Sequence, residues 1–66
     1  MMNDLLSSAE AARLADASPW SVWWWHTNGI GGVKLPARVV GGRLVIRRPD
    51  LLRFMRRVGR EPVTAA

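Results

Sequence analysis

This sequence predicts a small α+β fold, with two short N-terminal helices, a two-stranded β-hairpin and a C-terminal helix. Three observations point there. Ser7 and Ser18 each stand ahead of a helix-forming run, with only a short break between the two runs. A Gly41-Gly42 pair separates two alternating apolar and cationic runs, and Pro49-Asp50 precedes a stripe of apolar residues at helical spacing. With 66 residues there is room for one domain. A chain this short buries only about 60% of the surface that its unfolded form exposes, so its stability is expected to be modest.

The first helix is expected to start at Ser7-Ser8-Ala9-Glu10. This pattern is a capping box, in which the Ser7 hydroxyl accepts from the Glu10 amide and the Glu10 carboxylate reaches back. Ala11 to Ala15 continue it, and Asp16-Ala17-Ser18-Pro19 end it. Ser18 then caps a second helix with Pro19 at its first position, where a missing amide hydrogen costs nothing. Ala12 and Ala15 on the first helix are expected to face Val22 and Trp25 on the second, so the pair reads as a helix-turn-helix. A left-handed cap at Asn28-Gly29 should close the second helix.

Gly29, Gly31 and Gly32 lead into a strand placed at Lys34 to Val40, which meets a second at Arg43 to Arg47 across Gly41-Gly42. Two adjacent glycines suit a type I′ turn, whose central residues both need positive φ. Leu35, Ala37 and Val39 alternate with Lys34, Pro36 and Arg38, while Leu44 and Ile46 alternate with Arg43, Val45 and Arg47. One face should therefore be apolar and the other mostly cationic. Pro49 opens the third helix, Leu51, Phe54, Met55 and Val58 form its buried stripe, and Gly59 ends it. Together these elements describe a winged helix-turn-helix at residues 5–58, with 1–4 and 60–66 as flexible termini.

Ten Lys and Arg against five Asp and Glu give a formal charge of +5, which favours a polyanionic partner. Arg13 is the only cation before Lys34, so the positive field comes from the second half of the chain. There is no Cys for a disulfide or a thiolate metal site, and a reducing compartment suits the chain. Apolar runs are broken by Arg, Pro or Gly well short of the roughly 20 residues that span a bilayer, and Asn3 and Asp4 are unlike a signal-peptide start. A cytoplasmic, nucleoid-associated location is expected, with no membrane, metal or cofactor.

A catalytic reading finds little. His26 is the single histidine, and its position on the second helix favours a structural role. Gly29-Ile30-Gly31-Gly32 lacks both the preceding strand and the following Lys and Ser/Thr of a phosphate-binding loop. A binding reading finds more. Lys34, Arg38 and Arg43 are wing cations, Arg43 at the tip within reach of phosphate or a narrow minor groove. Arg47 and Arg48 sit at the junction of strand and helix, also placed for phosphate. Arg53, Arg56 and Arg57 read as solvated face or backbone contact. If about five phosphates are neutralised, log affinity should fall with log salt at a slope of about −4 to −5.

Four tryptophans, Trp20, Trp23, Trp24 and Trp25, crowd the second helix. At about 100° per residue, Trp25 joins Val22 on the core side, while Trp20 and Trp24 lie one turn apart on the opposite face with Trp23 at its margin. Three readings of that face stand side by side: apolar contact with thymine methyls and sugars, a self-association patch, or a pocket covered by wing or tail.

Leu6-Ser7-Ser8-Ala9-Glu10-Ala11-Ala12-Arg13-Leu14, then Ser18-Pro19, Val22 and Trp25, then Val39-Val40-Gly41-Gly42-Arg43 and Pro49-Asp50-Leu51, resemble in order and spacing the excisionase family of winged helix-turn-helix proteins. That family is akin to the DNA-binding domain of MerR-type regulators. The resemblance implies a module that binds duplex DNA, often in several copies, and either bends a recombination site to favour excision or regulates transcription. Catalysis there belongs to a partner integrase, so this chain is not expected to be an enzyme. Carried over by residue, Ser18 and Pro19 cap the reading helix, Ser21 and Trp24 fall at base- or backbone-facing positions, and Arg43 lies at the wing tip.

Three positions depart from the family pattern. Asp16 stands where a turn glycine is common, Trp24 replaces a basic residue and Trp20 a small polar one; the last two point to a wing-dominated, shape-reading or partner-assisted mode. The expected DNA-contacting set is Trp20, Ser21, Trp24, Lys34, Arg38, Arg43, Arg47 and Arg48. The alternative is a protein-interaction module that docks an integrase, or another copy of itself, through Trp20, Trp23 and Trp24. A cationic membrane-surface peptide is disfavoured, because an interfacial helix needs neither a hairpin nor two capped helices.

Overall fold

The computed structural model describes residues 4–60. In chain order its elements are β1 (Leu5–Ser7), α1 (Ser8–Ala15), α2 (Pro19–Thr27), β2 (Arg38–Val40), β3 (Arg43–Arg47) and α3 (Arg48–Val58). The α+β class, the paired N-terminal helices, the hairpin and the C-terminal helix are as expected from sequence, but the sheet has three antiparallel strands, not two, in the order β1-β3-β2. Leu5, Leu6 and Ser7 pair with Arg47, Ile46 and Val45. Three residues leading straight into a helix cap carry no alternation to mark them as a strand.

The capping box forms as read: the Glu10 amide donates to Ser7 Oγ at 3.1 Å, and the Ser7 amide to Glu10 Oε1 at 2.9 Å. At the other end of α1, Asp16 adopts a left-handed conformation with φ 53°. That geometry is the reason a glycine suits this position, since a Cβ at positive φ is crowded by the neighbouring carbonyl. Ser18 Oγ accepts from the Ser21 amide at 3.2 Å to cap α2. Asn28 is the right-handed C-cap of α2 at φ −112° and Gly29 after it takes the positive φ of 81°, so the helix closes at Asn28-Gly29 as expected. A Cβ at Gly29 would collide with the Val33 carbonyl, which instead accepts from the Ile30 amide at 2.8 Å.

The first hairpin strand is shorter than the Lys34 to Val40 run. Up to Ala37 the chain is committed elsewhere: the Leu35 amide donates to the Trp25 carbonyl at 3.0 Å, and the Leu35 carbonyl meets His26 Nδ1 at 3.1 Å. Pro36 has no amide hydrogen to offer a ladder. Two backbone groups thus fasten the approach to the hairpin onto the last turns of α2, and His26 has the structural role expected of it. Gly41 and Gly42 both have positive φ, 56° and 76°, as a type I′ turn requires. The third helix starts one residue before Pro49, at Arg48, and ends in a left-handed Gly59.

Leu6, Leu44 and Ile46 from the sheet, Ala11, Ala12, Ala15, Val22 and Trp25 from the helix pair, Leu35 from the linker, and Leu51, Phe54 and Met55 from α3 form one core. Ala11, Ala12 and Ala15 are all buried, and α1 packs against α2. Trp25 stacks against Phe54 at 5.6 Å between ring centroids, tilted by 36°. Val39, expected on the buried face, is 54% exposed. It lies opposite Leu44 on the correct face, but both α1 and α3 pack on β3, and β2 has β3 as its one substantial neighbour.

Of the ends expected to be flexible, residues 1–3 and 61–66 lie outside the described residues. Asp4 and Arg60 are bonded into the fold. The Asp4 carbonyl accepts from the Arg48 amide at 2.7 Å. Arg60 donates to the Ala15 carbonyl at 3.3 Å and lies over the Trp25 ring at 5.1 Å from its centroid.

Candidate nucleic-acid interface

Strand pairing determines which cations share a surface. On β3, Arg43, Val45 and Arg47 point away from the core that Leu44 and Ile46 enter. The register sets Arg38 opposite Val45, Val40 opposite Arg43, and Leu5 opposite Arg47. Arg38 is therefore diagonal to both Arg43 and Arg47, at a neighbour spacing of about 7–8 Å. All three guanidinium groups are exposed, and among the described residues none has a side-chain hydrogen bond or ion pair. The face is less uniformly cationic than the alternation implied: Leu5, Val40 and Val45 form an apolar floor between the arginines, in a groove of about 670 Å³ that Asp50 also borders.

The remaining predicted cations fall elsewhere. Lys34 is exposed but precedes β2, with its aliphatic stem against Gly29 at the C-terminal end of α2, so it does not belong to the hairpin face. A cation there complements the negative end of the helix dipole. Arg48 is half-buried, and its Nε is buried with no acceptor among the described residues. Its charge instead acts on Glu10. Bonds from the Ser7 backbone and side chain hold that carboxyl below its ordinary value, with smaller contributions from Arg13 and Arg48. Arg53 pairs with Asp50 at 3.3 Å, whereas Arg56 and Arg57 are exposed in the last turn of α3.

The second surface is the outer side of α2. Trp20 is 76% exposed and Trp24 52%, with Trp23 half-buried beside them; together with Thr27 they line a depression of about 350 Å³. Trp25 is 5% exposed and Val22 fully buried, so the division into core and outer indoles follows the helical wheel. Ser21 is half-buried, with its hydroxyl 3.1 Å from Ser18 Oγ. It therefore takes part in the cap of α2.

Sequence reasoning missed the apolar floor of the hairpin groove. Val45 and Val40 were legible as outward-facing once the strands were drawn, but Leu5 required β1. No three His, Cys, Asp or Glu side chains among the described residues are grouped to hold a metal ion, and no described helix is long and apolar enough to cross a membrane. Comparison of the chain with protein-family models, curated proteins and solved structures gave no match.

Proposed function

We propose that this chain is a duplex DNA-binding module of the excisionase type, acting as an architectural factor in site-specific recombination or as a small transcriptional regulator. The observation that carries the reading is the set of three guanidinium groups, Arg38, Arg43 and Arg47, on one outward face of the hairpin and unpaired among the described residues. Guanidinium groups left without internal acceptors are held ready for external ones, and phosphate oxygens match their planar donor pattern. The module works by binding rather than catalysis, and a nucleoid-associated location follows from that role.

In this scheme the wing positions and α2 reads. Phosphate contacts from the arginines release condensed counterions and orient the module, while the outer side of α2 meets base edges in the major groove. Fluorescence anisotropy of a labelled 20-base-pair duplex, titrated at several salt concentrations, tests this. Affinity should fall several hundredfold between 50 and 200 mM salt for a slope of about −4 to −5. Absence of binding, or binding indifferent to salt, contradicts it. The indole depression supports a second reading, docking of an integrase or another copy, because contiguous exposed aromatics characterise interfaces.

A further inference from the structure

Resting on the DNA-binding reading, we infer that the outer side of α2 selects duplexes through the 5-methyl groups of thymine rather than by hydrogen-bonded base recognition. The argument is one of elimination on named side chains. From Pro19 to Thr27 the helix has no Asp, Glu, Lys, Arg, Asn or Gln. These are the residue types that bond guanine, adenine and cytosine edges in the major groove.

Each polar side chain that α2 does carry makes at least one internal hydrogen bond. The Ser21 hydroxyl lies 3.1 Å from Ser18 Oγ. Thr27 Oγ1 donates to the Trp23 carbonyl at 3.0 Å and accepts from Asn28 Nδ2 at 2.9 Å. His26 Nδ1 is taken by Leu35. The indole N–H groups remain, but adenine, guanine and thymine all offer a major-groove acceptor, so a lone donor separates none of the three.

What the helix displays is apolar surface: the Trp20, Trp23 and Trp24 rings around a depression that Thr27 completes. The thymine methyl is the apolar group that a base pair presents in the major groove. The duplex suits this surface better than a protein does because the same small domain carries unpaired arginines on its hairpin and a formal charge of +5. One domain that carries both an uncharged apolar surface and a cationic surface is complementary to a polyanion whose groove is lined with methyls. Cytosine methylated at C5 carries the same group and is taken in the same way.

The wild-type protein is titrated into 20-base-pair duplexes of alternating d(AT), d(AU), d(GC) and d(G-5-methyl-C), with sedimentation run in parallel. Removing or adding a methyl should change affinity by about fourfold per contact, so two contacts give a d(AT) to d(AU) ratio of about tenfold or more. The methylated GC duplex should gain similarly over the plain one. Trp24→Ala, at an exposed position, should bring both ratios close to one, with circular dichroism confirming the fold. Alanine at Arg38, Arg43 and Arg47 should weaken all four duplexes and keep the ratios. Equal affinity for d(AT) and d(AU) with salt-dependent binding intact overturns the methyl inference alone. Failure to bind any of the four overturns the DNA-binding reading itself. Concentration-dependent self-association that Trp20→Ala abolishes, with the d(AT) to d(AU) ratio unchanged, assigns the surface to a second copy and overturns the inference.

Discussion

The hairpin and the second helix solve opposite problems with opposite chemistry. On the hairpin, Arg38 and Arg47 border a groove with an apolar floor and Arg43 lies further along the same face, and among the described residues none of the three has a side-chain partner. On α2, hydroxyls and imidazole are bonded internally, and what faces outward is indole. A surface of unsatisfied charge binds any polyanion with the right spacing, whereas a surface without charge contributes discrimination and little salt dependence. The two are joined by a short tether, the Leu35 backbone bonded to Trp25 and His26, so their relative placement depends on the Gly29 to Leu35 segment.

The largest expected effect breaks one side of this contrast. Replacing Arg38, Arg43 and Arg47 together by Ala should lower duplex affinity by two to three orders of magnitude near 0.1 M salt and reduce the salt slope by about 2.7. Anisotropy titrations on unrelated sequences should show the same loss on each. A loss restricted to one sequence would assign these residues to base recognition instead. Trp20→Ala should leave the slope where it was.

A second change attacks the tether. Gly29→Ala meets both the left-handed φ and the Val33 carbonyl, and should destabilise the fold by about 2 kcal/mol or more. Urea unfolding measures it. Gly42→Ala, in open space at the hairpin tip, should cost about 1 kcal/mol, from backbone conformation alone. Equal losses at the two sites would show that the Val33 approach contributes nothing.

Asp16→Gly works in the stabilising direction. Relief of its left-handed backbone should raise stability by about 0.5–1 kcal/mol, and the thermal midpoint by several degrees. The smallest effect concerns pH. Because Ser7 holds the Glu10 carboxyl below its ordinary value, the stabilisation is complete above the ordinary carboxylate range and is lost as pH falls through the lowered value. Unfolding midpoints at pH 5 and pH 3 should therefore differ less in Glu10→Gln, which retains a capping-box side chain without the charge.

Much of this architecture was legible in the chain because its boundaries are written in local chemistry. Ser7 with Glu10, Ser18 with Pro19, Gly41-Gly42 and Gly59 each act on their own backbone neighbourhood, and each lies where its chemistry indicated. What escaped depends on residues distant in sequence. Leu5 to Ser7 become a strand only because Val45 to Arg47 pass alongside. Lys34 leaves the hairpin because Trp25 and His26 capture Leu35, and Val39 is exposed because no helix substantially covers β2. At the candidate site the indole surface could be drawn from a helical wheel. That Ser21 and Thr27 are already bonded could not, because their partners depend on side-chain rotamers.

The graded burial of the four indoles makes the protein its own optical probe. Trp25, sealed in the core against Phe54, emits as a shielded chromophore whose shift to longer wavelength marks loss of the packed state. Trp20 and Trp24 emit from a wet environment and are open to collisional quenchers such as acrylamide. One unlabelled sample thus carries two separable signals. Quencher protection reports what settles on the second helix, and the blue component reports whether the molecule beneath it is still folded.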